Sequence, residues 1–199
     1  MKIVVIGATG TIGKAVSDAL AARHEVVRVS RHGPVKADIE DAASLRKLFE
    51  GVKDVDAVVT CAGSAAFRPL AQLTDGDFEL GIRSKLMGQV NLVRAAMGNL
   101  IDGGSITLTS GVLAHEPMPG GAAISMVNAG LEGFVVGASV ELPRGLRLNV
   151  VSPPWITETL IALKMDPEGG IPAAACAKAY VAAVEGKHQG QTLDARKFA

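Results

Sequence analysis

The segment from Lys2 to Gly13, KIVVIGATGTIG, constrains the fold of this chain more than any other. After Lys2 it continues with four β-branched residues in a row, a pattern typical of a central strand buried on both faces. Gly7, Gly10 and Gly13 follow at three-residue spacing, and a helical apolar pattern begins at Ile12. Glycines at such a turn permit backbone angles and close approaches that a Cβ would block, and a helix N-terminus attracts phosphate. The segment therefore predicts a dinucleotide-binding turn. The alternative is a tight turn without a ligand, for which one glycine normally suffices.

Composition and charge favour a parallel α/β protein and argue against binding to nucleic acid or an anionic membrane. The 199 residues are 48% hydrophobic but only 4% aromatic, so the core must consist of Val, Ile, Leu and Ala, as in parallel α/β sheets. We expect one domain over residues 1–199. The 20 basic and 20 acidic residues cancel and form no block of like charge. Neither nucleic acid nor an anionic membrane is therefore an expected partner.

The cysteines and the N-terminus indicate the compartment. Cys61 and Cys176 are the only cysteines, so no disulfide framework is expected and the environment is expected to be reducing. The chain enters its first predicted strand within two residues, which leaves no room for a signal peptide, and no apolar run looks long enough to span a bilayer. We expect a cytoplasmic protein without a metal centre.

Strand and helix patterns alternate along the whole chain. Strands are predicted at 3–6, 25–30, 55–60, 105–110, 146–152 and 191–195, and helices at 12–24, 41–50, 74–100, 122–142 and 173–184. This alternation predicts an α/β fold, a Rossmann-type doubly wound parallel sheet with helices on both faces. The ligand is then expected at the carboxyl ends of the strands.

The end of the second predicted strand bears on the choice of cofactor. An acidic residue there would accept hydrogen bonds from a ribose 2′-OH, whereas an arginine pairs with a 2′-phosphate. Ser30 and Arg31 occupy this place, so the sequence favours NADP(H) over NAD(H). The alternative is a solvated surface arginine.

With these pieces in place, the chain resembles the short-chain dehydrogenase/reductase family over nearly its whole length. The matching segments are GATGTIG at 7–13, SR at 30–31, DI at 38–39, CAG at 61–63, TS at 109–110, AGLEGF at 129–134 and RLNVVSPPWITET at 147–159. The family usually shows NAG where this chain has CAG, and a glycine where it has Pro154. The resemblance implies that residues 153–157 wrap the nicotinamide end of the cofactor. It also implies a homodimer or homotetramer assembled through the two long helices.

The turn, the strand ends and the resemblance together give a predicted set of cofactor-binding residues. These are Gly7, Thr9, Gly10, Thr11, Ile12, Gly13, Ser30, Arg31, Asp38, Ile39, Cys61, Ala62, Gly63, Lys85, Thr109, Asn128, Pro153, Trp155, Ile156 and Thr157.

The active-site residues of the family are largely missing. Family enzymes carry Tyr-x-x-x-Lys, whose positions here hold Ile124 and Asn128, and Tyr180 is the only tyrosine. In the family the tyrosine exchanges a proton with the substrate oxygen, and the lysine lowers its pKa and holds the ribose. The family's serine corresponds to Ser110, while its asparagine position holds Lys85. Lysine and asparagine have thus exchanged places, either by coincidence or for a function.

Three functions fit this pattern. The first is an NADP(H)-dependent oxidoreductase for a small carbonyl or alcohol substrate, whose acid/base group comes from Ser110, Lys85 or the loop residue His115. We expect Lys85 to occupy part of the space of the missing lysine and Asn128 to bond the ribose. The second is a catalytically inactive NADP(H)-binding sensor or partner protein. The third is a non-redox lyase or isomerase on the same fold.

Overall fold

Seven parallel strands form one sheet in the computed structural model, which describes all 199 residues. The strands are β1 (Lys2–Ile6), β2 (Glu25–Ser30), β3 (Val35–Lys36), β4 (Val55–Thr60), β5 (Leu100–Thr109), β6 (Arg147–Ser152) and β7 (Thr192–Asp194). Their order across the sheet is β3-β2-β1-β4-β5-β6-β7. This arrangement confirms the predicted doubly wound α/β fold.

Helices cover both faces of the sheet. They are α1 (Thr11–Ala21), α2 (Ala42–Gly51), α3 (Asp75–Gly81), α4 (Gly88–Ala96), α5 (Ala122–Ser139), α6 (Thr157–Ala162) and α7 (Ala173–Glu185). One apolar cluster joins α2, α4 and α5 to one face, and a second joins α1 and α7 to the other. Because β1 is buried on both sides, all four of its apolar residues are at most 1% exposed.

The chain changes direction across the sheet beside β1, and this places the cleft. From β1 it proceeds to β2 and β3 on one side, then returns to β4 on the other side. Beyond the end of β1, the Gly7 N–H donates to Val29 O at 3.0 Å, and the Cys61 N–H donates to Ile6 O at 2.8 Å. The loops that follow β1, β2 and β4 are therefore drawn together at the carboxyl edge, where open α/β sheets bind ligands.

Several element boundaries differ from the sequence prediction. Strand β3 was not predicted because two residues are too short for a period to be visible. The predicted helix over 74–100 is instead α3, a π-helical segment at Ile82–Met87 and α4. Strand β5 begins at Leu100 instead of 105, and α5 ends at Ser139 instead of 142, ahead of Pro143.

Helix α5 also corrects the expectation that no apolar run could span a bilayer. Its 18 residues have a mean hydropathy of 1.3, which is sufficient by length and composition alone. A single helix of this kind is a weak indication, because the core helix of a soluble protein passes the same test. Val127, Leu131 and Val135 of α5 are completely buried in the protein.

Candidate cofactor cleft and active site

A continuous cleft runs along the carboxyl edge of the sheet as two adjoining cavities. The first, of about 190 Å³, lies beyond β1, β2 and β4, and the second, of about 270 Å³, lies beyond β4, β5 and β6. Cys61, Ala62 and Gly63 line both cavities and therefore join them. A long, two-lobed ligand such as a dinucleotide suits this shape.

Most of the predicted cofactor residues line this cleft. The first cavity is lined by Gly7, Thr9, Gly10, Ser30, Arg31, Asp38 and Ile39, and the second by Ile12, Lys85, Thr109, Asn128, Pro153, Trp155 and Ile156. The structure adds lining residues that the sequence did not indicate, among them Glu40, Ser64, Ser84, Val112, Leu113 and Thr159. Three predicted cofactor residues, Thr11, Gly13 and Thr157, line neither cavity, and neither does His115, which was predicted as a catalytic candidate.

The glycine turn needs its glycines for steric reasons. Gly7 has φ +81°, and a Cβ there would lie 2.9 Å from the carbonyl carbon of Cys61. A Cβ on Gly13 would lie 2.0 Å from Gly7 O, so only a glycine at position 13 lets α1 pack this closely against the turn. The first turn of α1 carries no acidic residue, and its N-terminus is therefore left for a phosphate.

Arg31 stands free at the rim of the first cavity. It is exposed and takes part in none of the nine ion pairs of the chain. The neighbouring acidic residue, Glu40, is already engaged, because Arg83 Nε donates to its Oε2 at 2.9 Å. This hydrogen bond lowers the pKa of Glu40. The Arg31 guanidinium is therefore left available for an anionic group of a ligand.

Lys85 reaches the second cavity from the π-helical segment. Its Nζ donates to Ser110 O at 3.1 Å, and the side chain is partly buried without a carboxylate in ion-pair distance. Burial lowers the pKa of Lys85 from 10.5 to about 8. Gly63, at φ +133°, permits this approach, since a Cβ on it would lie 2.9 Å from Lys85 Cα. π-Helical turns inside α-helices are frequent at functional sites, which makes this distortion a structural signal that the sequence did not provide.

Asn128 lines the same cavity and carries a buried, unpaired acceptor. Its Nδ2 donates to Gly111 O at 3.2 Å, whereas its Oδ1 is buried and has no hydrogen-bond partner. A buried acceptor without a donor costs about 1–3 kcal/mol, so such atoms usually have a partner. The hydroxyl of a bound ribose would supply that donor. The unpaired Oδ1 of Asn128 is therefore one observation of this structure that fits a bound dinucleotide.

Ser110 belongs to a network that the sequence did not indicate. Its Oγ donates to Glu132 Oε1 at 2.8 Å, and Glu132 Oε2 contacts His115 Nε2. Glu132 lies on α5, one turn after Asn128 and on the same buried side of the helix. That spacing was the available signal, because an acidic residue on an otherwise buried helix face needs a partner.

The tyrosine of the chain lies behind the cleft and does not line it. The Tyr180 hydroxyl on α7 bonds Thr109 Oγ1 at 2.8 Å, and burial raises its pKa well above the usual value. Tyr180 therefore cannot act for the missing tyrosine. Burial also raises the pKa of the Cys61 thiol to about 12, so this residue is no ready nucleophile.

Many of the other side chains that line the second cavity are apolar. Ile124 stands where the family has tyrosine, and Leu113, Pro154 and Trp155 line the same cavity. Phe67 packs edge-on against Trp155 with ring centroids 5.7 Å apart. Apart from Lys85, no charged side chain lines this cavity.

Comparison with known proteins decides the family. The family model described as enoyl-(acyl carrier protein) reductase matches residues 3–185. The chain belongs to the short-chain dehydrogenase/reductase family. The solved structure of the protein lin1944 from Listeria innocua is similar to this chain, with 41% identity and a TM-score of 0.93, and the match covers 98% of each chain.

Other members connect the family to nicotinamide cofactors. A solved small-chain dehydrogenase in complex with NADPH is 25% identical with a TM-score of 0.86, over 98% of this chain and 95% of that one. Carbonyl reductase family member 4 of Danio rerio is 28% identical over 182 residues, which are 80% of this chain and 77% of the relative. An uncharacterised NAD-dependent oxidoreductase of Mycobacterium tuberculosis is 30% identical over 73% of this chain.

The chain spans only about half the length of some of these short-chain dehydrogenase/reductase relatives, 54% for the Mycobacterium protein. The relatives named for an activity are oxidoreductases, and their names include both NADPH and NAD. Binding of a nicotinamide dinucleotide is thereby supported as a property of the fold, whereas the preference between the two is not.

Proposed function

We propose that this chain is an NADP(H)-dependent oxidoreductase for a small carbonyl or alcohol substrate, in which Lys85 and Ser110 replace the usual Tyr–Lys pair. The observation that carries the proposal is the position of Lys85. Its ammonium lies in the second cavity, 3.1 Å from Ser110 O, without a carboxylate partner and with a pKa of about 8. A buried positive charge in a cleft, on a lysine whose pKa is lowered toward neutral pH, is a candidate for stabilising an oxyanion.

The first cavity would bind the adenosine end of the cofactor, and the second would bind its nicotinamide end. Asp38 and Ile39 would face the adenine, Arg31 the 2′-phosphate, and the glycine turn the pyrophosphate. Asn128 Oδ1 would accept a hydrogen bond from the nicotinamide ribose. When bound, the cofactor supplies or accepts the hydride.

The protein then has to hold the substrate oxygen and manage its charge. Ser110 lines the second cavity and can hydrogen-bond that oxygen. Lys85 adds a positive charge that favours an oxyanion nearby, and at pH 7 it is mostly protonated because its pKa is about 8. The apolar side chains of this cavity, Ile124 among them, limit the access of water.

Cofactor preference is tested by calorimetry with NADPH and NADH. The wild type is expected to bind NADPH more than tenfold more tightly, because charge-assisted hydrogen bonds are worth roughly 1.5–3 kcal/mol. Arg31→Ala should remove the preference, while Arg46→Ala, an exposed arginine on α2, should keep it. Equal affinity of the wild type for the two cofactors would show the assignment to be wrong.

Catalysis is tested by following NADPH oxidation with a panel of small aldehydes and ketones. Lys85→Met should abolish turnover and leave the fold intact, and Lys47→Met, on the exposed side of α2, should leave turnover unchanged. The second candidate function is an inactive NADP(H) sensor, favoured by the isoleucine at 124 and by the remote position of Tyr180. NADPH binding without turnover on any substrate would support that function instead.

We further propose that the chain forms a homodimer or homotetramer through its long helices. Apolar side chains of α5 and the π-helical segment are exposed on the single chain, with Val136 60%, Met126 42% and Ile82 42% exposed. Gly133 and Gly137 on α5 have no atom within 4 Å of an added Cβ, so a second helix could approach there.

A further inference from the structure

Three hydrogen-bonded side chains connect the cleft to the protein surface. Ser110 lines the cleft and is 3% exposed, and its Oγ donates to Glu132 Oε1 at 2.8 Å. Oε2 of the same carboxylate contacts Nε2 of His115. The Glu132 side chain is 9% exposed, whereas that of His115 is 69% exposed. A buried carboxylate therefore lies between a cleft residue and a ring in contact with solvent.

Burying the Glu132 carboxylate costs folding free energy, which a purely structural role would have to offset. Its neighbours on the buried side of α5, Val127 and Leu131, are apolar, and burying a carboxylate costs several kcal/mol unless it is well paired. His115 is the only basic side chain in ion-pair distance of it. The loop that carries His115 is already held without Glu132, since the Val112 N–H donates to Pro153 O at 3.0 Å.

The order of the three groups decides what they can do. In a hydrolase triad the imidazole lies between the serine and the carboxylate, and takes the serine proton directly. Here the carboxylate lies between Ser110 and His115. A proton can therefore pass between the serine and the imidazole only through Glu132.

We propose that Glu132 carries protons between His115 and Ser110, so that solvent protons reach the substrate oxygen. The inference rests on the proposed function. During reduction the Ser110 Oγ–H bond breaks and a substrate O–H bond forms. Because Oγ donates to Glu132 in the resting state, His115 first takes a proton from water and passes one to Glu132, and the Ser110 hydroxyl then turns from Glu132 to the substrate oxygen. Glu132 gives its proton to Oγ as Oγ gives its own to the substrate.

This path carries one proton from solvent to substrate and no electrons, because both electrons arrive with the hydride. Oxidation of an alcohol runs the path in reverse. Glu132 and His115 touch neither substrate nor cofactor, so both are positioning residues, and Ser110 is the catalytic residue of the path. Lys85 lies at the Ser110 carbonyl and is not a member of the path.

The kinetic test uses Glu132→Gln and His115→Gln, which keep the size and hydrogen-bonding capacity of each group but cannot relay the proton. Glu132→Gln should lower kcat by on the order of 100-fold, with KM and NADPH affinity within about twofold of the wild type. His115→Gln should lower kcat less, by about tenfold, and imidazole buffer should restore it. His24→Gln is the matched control, because His24 pairs with Glu185 at 2.9 Å away from the cleft.

A second readout needs neither cofactor nor turnover. In nitrogen-15 NMR of the histidine side chains, the Nε2 hydrogen of His115 should exchange slowly with solvent although the ring is 69% exposed. Glu132→Gln should accelerate this exchange. Rapid exchange in the wild type would show that the His115–Glu132 link does not persist in solution, and would overturn the path.

The outcomes separate this inference from the proposed function. Wild-type turnover with an unchanged kcat in both glutamine variants would overturn the proton path and leave the oxidoreductase function standing. Parallel losses of kcat, NADPH affinity and thermal stability in Glu132→Gln would instead assign that residue a structural role. Wild type that binds NADPH but reduces no substrate would refute the proposed reaction, and the path with it.

Discussion

Replacement of Lys85 by methionine should stabilise the folded protein at neutral pH, even though it is expected to remove turnover. The lysine is partly buried, has no carboxylate partner, and donates one hydrogen bond, to Ser110 O at 3.1 Å. Methionine has a similar length and fills irregular apolar space well. The substitution therefore removes a poorly solvated charge and leaves little empty volume.

The pKa of Lys85 sets the size of the effect. Burial lowers it from 10.5 to about 8, and each tenfold change in an ionisation constant is worth about 1.4 kcal/mol. The charged lysine thus costs the folded state about 3 kcal/mol. Loss of the hydrogen bond to Ser110 O offsets about 1 kcal/mol of this gain. We expect Lys85→Met to raise the free energy of unfolding by about 2 kcal/mol at pH 7.

The sign of the pH dependence follows from proton linkage. The pKa of Lys85 is lower in the folded state, so between pH 8 and 10.5 the unfolded chain binds more protons and the stability of the wild type rises with pH. Below pH 8 both states are protonated and the cost is fully present. Above pH 10.5 both are neutral and the cost is gone. The advantage of Lys85→Met should therefore disappear through this window.

Urea denaturation of both proteins at pH 7, 8, 9 and 10 measures the difference directly. Lys47→Met is the matched control, because Lys47 is exposed on α2 and its replacement should give a small difference that does not vary with pH. A variant no more stable than the wild type at pH 7, or a difference that stays constant up to pH 10, would refute the argument from desolvation.

Two further predictions concern the thiols and the assembly. Burial raises the pKa of Cys61 and of Cys176 to about 12. Both thiols should therefore be alkylated at pH 8 at least about 100-fold more slowly than free cysteine. After denaturation they should react at the ordinary rate. Sedimentation velocity at micromolar concentration should show a dimer or tetramer, and Val136→Glu on α5 should shift it toward the monomer. A wild type that sediments as a monomer would contradict the proposed assembly.

The fold could be predicted because its signals are local and repeated. The apolar strand before Gly7 is buried as its pattern predicts, and Gly7 and Gly13 are required by close backbone contacts, with Cys61 and with Gly7 O respectively. The break in the helix over 74–100 could not be predicted. The π-helical segment has only six residues, too few for its period to be visible in the apolar pattern, and the close approach of Gly63 to Lys85 Cα joins residues far apart in sequence.

Part of the candidate site could also be predicted from the sequence, and part could not. Ser110, Asn128 and Lys85 were found because each falls on a motif position, and all three line one cavity. Their roles in catalysis stay predictions. Glu132 was not found. Its place one turn after Asn128 was a signal that it needs a partner, but the partners, Ser110 and His115, are brought to it only by the packing of α5 against the loop after β5.

Lys85 and Asn128, the lysine and asparagine that have exchanged positions relative to the family, donate hydrogen bonds to neighbouring backbone carbonyls. Lys85 Nζ donates to the carbonyl of Ser110, and Asn128 Nδ2 donates to the carbonyl of the next residue, Gly111. Two helices thus place their side chains on consecutive peptide groups at the end of β5. A coincidental substitution in a solvent-facing helix would not require the lysine to be partly buried or to end at that peptide. Under the proposed function, Asn128 Oδ1 and the charge of Lys85 would together supply what one lysine supplies in the family, a hydrogen bond to a ribose and a positive charge near the substrate oxygen.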